Sequence, residues 1–363
     1  MGTQGTRGSS AIVASALALL VLIAMLALAA CGGSNTTASS SPSAAPSQAA
    51  ASPSAAASPS ASPLPTPTVA GTIAFCKVVE GVEGGDADIY LVRPDGTRLT
   101  RLTAYPGWEE SPSWSPDGKK LAYARYAKGS TDPMYASVWV INADGSGERQ
   151  LTSRSCCGPS WSPDGTMIAY VRFTSSAYST VNRGDPFVMN ADGSGQRAVV
   201  RSQDAIGYSA WTPDGRIVFS GGDFSGGDTA PYALYAVNPD GSGLEQLLGD
   251  VHLGGYAVSP DGTSLAYEDL SIQVKTALTE AIVVKALHDS SEPMVVLEPV
   301  SAYVQNDPYA VAAWRSDGTV LAVATYSPGS IVGSPLYVLG ADGSGLSSVP
   351  GIDDAMDPAW RPE

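Results

Sequence analysis

One string recurs along this chain and limits what it can become. SWSPDG stands at 113–118 and again at 160–165, AWTPDG at 210–215, AVSPDG at 257–262 and AWRSDG at 313–318. A shortened copy, AWRPE, occupies 359–363. The anchor residues Trp114, Trp161, Trp211, Val258, Trp314 and Trp360 are separated by steps of 47, 50, 47, 56 and 46. A period in this range marks a repeat architecture, in which each unit buries its apolar surface only against its neighbours.

Inside a repeat the pattern is one of short strands. Each anchor is followed by an apolar run, for example KLAYAR, MIAYVR or SLAYED. A second set recurs further on: DIYLVRPDG (88–96), SVWVINADGSG (137–147), PFVMNADGSG (186–195), ALYAVNPDGSG (233–243) and PLYVLGADGSG (335–345). AIVVKALHDSS (281–291) is its degenerate member. A short segment such as RQLTS or EQLLG closes the repeat, which therefore reads as four strands. In Ser-Pro-Asp-Gly, proline sets φ at the first corner, aspartate bonds the downstream backbone, and glycine takes positive φ. Asp-Gly-Ser-Gly makes a hairpin turn in the same way. Radial stacking of such units protects their edges and places the anchor indole between neighbours.

This combination resembles the TolB-type, WD-like β-propeller repeat, over about 290 residues. The resemblance implies an all-β, six-bladed β-propeller over 71–363, built from four-stranded antiparallel blades. One blade is split between the two ends of the repeat region. GTIAFCKV (71–78) reads as a second strand, DIYLV and TRLTRLT as the third and fourth, and AWRPE as the missing first. Pairing of 356–363 with 71–103 is therefore expected to close the ring.

Ahead of the repeats, residues 11–30 are uncharged and almost wholly apolar, and residues 1–30 read as a secretory signal. A 20-residue apolar run is also long enough to remain as an uncleaved membrane anchor. The sequence Leu28-Ala29-Ala30-Cys31-Gly32 resembles the bacterial lipobox, which implies a lipidated Cys31 as the first mature residue. The chain is then expected on the outer face of the bacterial cell membrane, facing the periplasm if an outer membrane exists. Residues 31–70 form a Ser/Ala/Pro-rich tether with too little apolar surface to fold, able to reach roughly 120 Å.

Charge and residue usage exclude several functions. All 35 acidic residues lie beyond position 70, together with 19 of the 20 basic ones. So acidic a body is repelled by phosphate backbones and anionic headgroups, which argues against nucleic acid and limits membrane contact to the lipid anchor. Two histidines and four cysteines leave little material for a zinc site or a nucleophile–base pair. No Gly-x-Ser-x-Gly elbow occurs, and the expectation is no enzyme activity, no cofactor and no metal. Asn142-Ala-Asp144-Gly-Ser146-Gly147 imitates the start of a calcium loop, but Ser153 stands where the bidentate glutamate belongs. Asp117, Asp164, Asp214, Asp261 and Asp317 read as turn residues rather than as a ring of ligands.

Strand order sorts the connections. The two turn types share one face of the disc; the longer, irregular 2–3 and inter-blade loops share the other, where binding is expected. The candidate partner-binding residues there are Tyr105, Trp108, Tyr126, Tyr178, Phe224, Tyr256 and Tyr303. Cys156 and Cys157 are adjacent in an inter-blade segment expected to be exposed, and either form a vicinal disulfide, stay free or pair with a partner. Cys76 is expected a blade away from them. The functional expectation is a monomeric, lipid-anchored, extracytoplasmic scaffold that binds an envelope or secreted protein through its loop face. The alternatives are a receptor for a small molecule or envelope glycan in the central funnel, and an accessory propeller of a prolyl-oligopeptidase-like hydrolase.

Overall fold

The strand that follows each anchor pairs on both of its edges, and this pairing builds the whole architecture. The computed structural model describes residues 70–79, 86–130, 133–153, 155–173, 184–201, 204–222, 232–251, 253–269, 273–274, 277–278, 281–287, 292–297, 309–326 and 335–363. All of them lie in the unit Pro63–Glu363. The signal segment, Cys31 and the tether up to residue 69 lie outside the described residues.

Six antiparallel quartets succeed one another, each running from an inner strand beside the axis to an outer edge strand. Blade I takes its inner strand, Ala355–Trp360, from the C-terminal segment; Ile73–Val79, Asp86–Val92 and Thr100–Arg101 complete it. Blade II consists of Glu109–Trp114, Lys120–Tyr126, Ala136–Asn142 and Arg149–Gln150. Blade III opens with Cys156–Trp161, blade IV with Asp204–Trp211, blade V with Leu253–Val258 and blade VI with Tyr309–Trp314. A single bridge, Gly184 with Ala205, joins the sheets of blades III and IV. The expected closure is present: Ile73 pairs with Trp360 and Ala74 with Ala359.

The second strands are buried on both sides. Leu121, Ala122, Tyr123 and Ala124 are all fully covered, although alternate residues of a strand face opposite ways. A blade has neighbours against both faces, so one apolar face per blade would not suffice. Six hydrophobic clusters result, and together they cover every seam. Ile73, Phe75 and Trp360 of blade I pack with Ala322, Ala324 and Val338 of blade VI, which seals the last seam. Indoles span the seams as well. Trp114 Nε1 donates to Ala359 O at 3.2 Å, Trp211 to Ser160 O at 2.9 Å, and Trp314 to Ala257 O at 3.0 Å. In each case the acceptor is the residue just before the preceding blade's anchor.

The Asp-Gly turns do more than reverse the chain. A Cβ on Gly241 would lie 2.6 Å from Val199 O of the preceding blade, and one on Gly96 would lie 2.5 Å from Pro350 O. Both glycines have positive φ, so they supply a backbone conformation and a close approach at once. Gly215 has the same conformation, φ +86, with nothing within 4 Å. Gly241→Ala is therefore expected to destabilise the disc by about 2–4 kcal/mol and Gly215→Ala by about 1–2 kcal/mol. Urea unfolding midpoints compare the two; equal losses would show that the inter-blade contact contributes nothing.

Candidate functional site

The turn face is occupied with its own hydrogen bonds. In the Ser115–Lys120 turn, Ser115 Oγ donates to Asp117 Oδ1 at 2.7 Å and Lys119 N donates to the same oxygen at 3.1 Å. Asp164 and Asp261 repeat this arrangement. These donors hold the carboxyls of Asp117, Asp164 and Asp261 below the usual range, with the serine hydroxyl the largest influence. In the other turn type, Ser146 N and Oγ both donate to Asp144 Oδ1, at 2.9 and 2.6 Å. Among the described residues, no three His, Cys, Asp or Glu side chains are grouped to hold a metal ion.

The opposite side of the seam between blades I and II is built differently. Arg125, on the second strand of blade II, is 6% exposed and is sandwiched between the rings of Tyr105 (4.5 Å) and Trp139 (4.1 Å). Its guanidinium reaches Glu109 and Glu148, each at 2.6 Å. Burial pushes the Glu109 carboxyl up to about 7 even though Arg125 pulls the other way. Tyr105 N donates to Asp88 Oδ1 at 3.2 Å, and Asp88 in turn pairs with Arg101 at 2.5 Å. The aromatic cover over this seam therefore rests on a rigid charged base.

Closer to the axis lies a second polar group, made by a bulge. Glu110 pairs with Ala124 and Ser113 with Ala122, so Ser111 and Pro112 together face Tyr123. Blade III repeats the bulge with Gly158 and Pro159, and blade I with Asp357 and Pro358. Ser111, Gly158 and Asp357 all take positive φ there. A bulge turns its residues away from the regular ladder. Here it brings the Asp357 carboxylate, 6% exposed, beside Ser111, whose N–H donates to Asp357 Oδ2 at 3.1 Å. The Cys76 thiol lies 3.9 Å from the same oxygen. The half-buried Glu110 accepts from Tyr126 Oη at 2.5 Å and Trp108 Nε1 at 2.8 Å. Burial, then the nearby Glu110 carboxylate, push Asp357 up to about 7, and burial raises Glu110 as well.

The six inner strands enclose a central channel of about 440 Å³. Its described wall holds Trp114, Trp161, Trp211, Trp314 and Trp360 with prolines and serines between them, and Asp357 is the one charged side chain among those residues.

Two of the candidate aromatics fall together. Tyr105 and Trp108 are half-buried at the seam between blades I and II on the loop side, and a parallel bridge between Ala87 and Trp108 stitches the blades there. Tyr126 and Tyr256 do not belong to an exposed face. Both are at most 6% exposed, because their rings fill seams; Tyr256 Oη donates to Tyr208 O at 2.8 Å. Tyr178, Phe224 and Tyr303 lie outside the described residues, as does His252. The exposed loop expected around Cys156 and Cys157 is instead an inner strand with both thiols buried and free. Successive strand residues face opposite ways, and the two sulfurs enter different clusters: Cys156 lies 2.7 Å from Thr152 Oγ1, Cys157 3.3 Å from Tyr126 Oη. Sequence reasoning missed Arg125, Glu109, Glu110 and Asp357. The repeated tripeptides SPS, GPS and DPA just before the tryptophans of blades II, III and I were the available signal.

Fold and channel together define a six-bladed β-propeller with indole-lined inner strands. No family model matches the chain. Short segments are similar to curated TolB proteins. The identity is 59% over 39 residues with the Protein TolB homolog of Chlorobium luteolum, which is 11% of this chain and 9% of that protein. It is 39% over 70 residues with Tol-Pal system protein TolB 1 of Novosphingobium aromaticivorans, 19% and 14% of the two chains. The match thus spans less than a fifth of these relatives' own length. Among solved structures, TolB from Acinetobacter baumannii superposes with a TM-score of 0.62 at 16% identity, covering 81% of this chain and 67% of that one. The putative TolB from Agrobacterium tumefaciens gives 0.55 at 14% identity, covering 79% and 91%. The chain shares its six-bladed fold with these TolB structures, and short stretches of it are similar to TolB sequences.

The raised carboxyls set a pH dependence. Folded Asp357 keeps its proton up to about pH 7, whereas in the unfolded chain carboxyls release theirs near 4. Between these values the folded state binds more protons, so stability is expected to fall as pH rises from about 4 to about 7 and then level off. Below that window the turn aspartates act in the opposite sense. Asp357→Asn should flatten the decline, measured as urea midpoints across the window; an unchanged slope would contradict the assignment.

Proposed function

We propose that this chain is a non-catalytic binding protein, lipid-anchored through Cys31 outside the cytoplasm, that engages an envelope or secreted protein partner with its loop face. The observation that carries the reading is the difference between the two faces. Turn-face aspartates bond to their own turns, whereas the loop side of the seam between blades I and II presents Tyr105 and Trp108 on a rigid base of Arg125, Glu109 and Glu110. Aromatic residues held in place over a desolvated charged base have the character of interface anchors. Entry of the chain supports the orientation. Arg361 N donates to Thr72 O at 2.8 Å beside the Ser-Pro-Asp-Gly turns, so the first described strand enters the disc from the turn face and leaves the loop face clear of it. The relatives named as Tol-Pal system proteins support an envelope setting.

Crosslinking from a photoreactive residue placed at Lys128, on the same side, tests this in living cells. One partner band is expected, weakened about thirtyfold or more by Tyr105→Ala or Trp108→Ala and unchanged by Leu346→Ala on the turn face. Cys31→Ser should release the protein from the membrane fraction. Equal effects of substitutions on both faces would sink the assignment of the binding face.

A further inference from the structure

The turn face carries one cleft whose residues differ from those of its sister blades. Where the seam between blades I and II opens on that face, a cavity of about 420 Å³ is lined by Arg93, Arg98, Arg101 and Arg361. Asp144 is the one carboxylate among its lining residues, and its Oδ1 already accepts from Ser146 N and Oγ. Arg101 is anchored by Asp88 at 2.5 Å and by Thr103 O, which accepts from Nε at 3.0 Å. Arg361 is fixed as well: its Nε donates to Gly118 O at 2.8 Å, and its guanidinium lies 5.3 Å from the Trp114 ring. Arg93 and Arg98 are exposed, and neither they nor Arg361 form an ion pair among the described residues.

The turn itself does not require these arginines. Aligned on the Asp-Gly step, Arg93 stands where blades II, III and IV have Asn142, Asn190 and Asn238. Each of those asparagines donates from Nδ2 to the serine of its turn, at 2.9–3.0 Å. Arg98 replaces Gly147, Gly195, Gly243 and Gly345 of the other turns. It takes φ +58, the left-handed region that glycine enters freely and arginine does not. The corresponding cleft of blade VI has Gly340 and Gly345 at these two positions, and there Arg315 is accompanied by Asp342. Blade I thus gives up two residues that suit the turn and gains two guanidiniums on one cleft.

We propose that this cleft binds a phosphate oxyanion, carried either by a free phosphate ester or by a phospholipid headgroup. The planar forks of Arg93 and Arg98 take its oxygens in pairs, while Arg101 and Arg361, already held in place, supply a fixed positive wall. A carboxylate offers one edge to one fork, whereas a phosphate offers oxygens to several at once. Acidic residues elsewhere on the disc are screened beyond about 8 Å at physiological salt, so the local cluster decides what binds. A net count of charge, which speaks against anionic ligands, does not register such a cluster. The site goes beyond the partner reading: it opens on the turn face, whereas Tyr105 and Trp108 lie on the loop side.

The test is a calorimetric titration of the full-length chain, in a neutral detergent, with inorganic phosphate. Ionic strength is held constant at a mildly alkaline pH, where phosphate is largely a dianion, and acetate serves as the monoanionic control. Saturable one-to-one binding of phosphate is expected, with none for acetate at the same concentration. Arg98→Gly and Arg93→Asn restore the residues of the sister blades, so both variants should fold, and each should weaken phosphate about tenfold. Arg98→Gly should also raise the urea midpoint by releasing the left-handed strain, whereas a structural role for Arg98 requires a lower one. Arg315→Ser, on blade VI, should leave the affinity unchanged. Glycerol 3-phosphate and glycerophosphoglycerol then separate the two sources: the first stands for a free ester and the second for a lipid headgroup, and the tighter names the occupant. Absent saturation, acetate binding as well as phosphate, rejection of both esters, unchanged affinity in both variants of blade I, a lower midpoint for Arg98→Gly, or an equal loss in Arg315→Ser would each overturn the proposal. Partner crosslinking at Tyr105 and Trp108 is read separately, so failure of one reading does not imply failure of the other.

Discussion

Burial of both faces of every blade is the constraint from which the rest of this molecule follows. A quartet such as Glu109–Trp114 to Arg149–Gln150 has no inside of its own; Tyr123 and Ala122 of its second strand look in opposite directions and are both covered. Coverage on two sides can be completed for every member only if the row of blades returns on itself. The indole bonds from Trp114, Trp211 and Trp314 to the preceding blade act at the radius where the blades converge, so they fix spacing where a small error would matter most. The channel is a consequence of that geometry, because six inner strands cannot meet at a point.

A symmetric scaffold carries an asymmetric surface. Blades I, II and III share the proline bulge in the inner strand, and the groups around Arg125 and Asp357 lie at the seam between the first two. The inner strand of blade VI, by contrast, pairs with its neighbour without a register shift from Tyr309 to Trp314. These two charged groups thus share one seam while the hydrophobic seams continue around the ring. That separation lets chemistry vary on one side with little cost to the packing that closes the disc.

The parts of this structure that repeat could be read from the sequence, and the parts that depend on single long-range meetings could not. Six Trp or Val anchors with their turns defined the blades, and AWRPE with GTIAFCKV defined the closure. Side-chain direction was harder. Tyr105 and Tyr126 look alike in sequence, yet one covers Arg125 from the connection between blades I and II while the other ends a second strand buried on both sides. Counting alternate positions fails across a bulge. The same holds for Cys156 and Cys157, which precede the bulge of blade III on an inner strand rather than in a loop. Arg125 meets Glu109 and Glu148 from 16 and 23 residues away, distances set by the hairpins and invisible to any local pattern.

The Asp357 cluster is assembled from distant parts of the chain, which ties its chemistry to closure. Asp357 comes from the C-terminal strand, Cys76 from the strand beside it, and Glu110 and Ser111 from the next blade. An open ring would separate Asp357 from Ser111 and let water reach it, and the carboxyl would return to its ordinary range. Proton binding and ring closure are therefore two sides of one equilibrium: whatever favours the uncharged or charge-balanced cluster favours the seal.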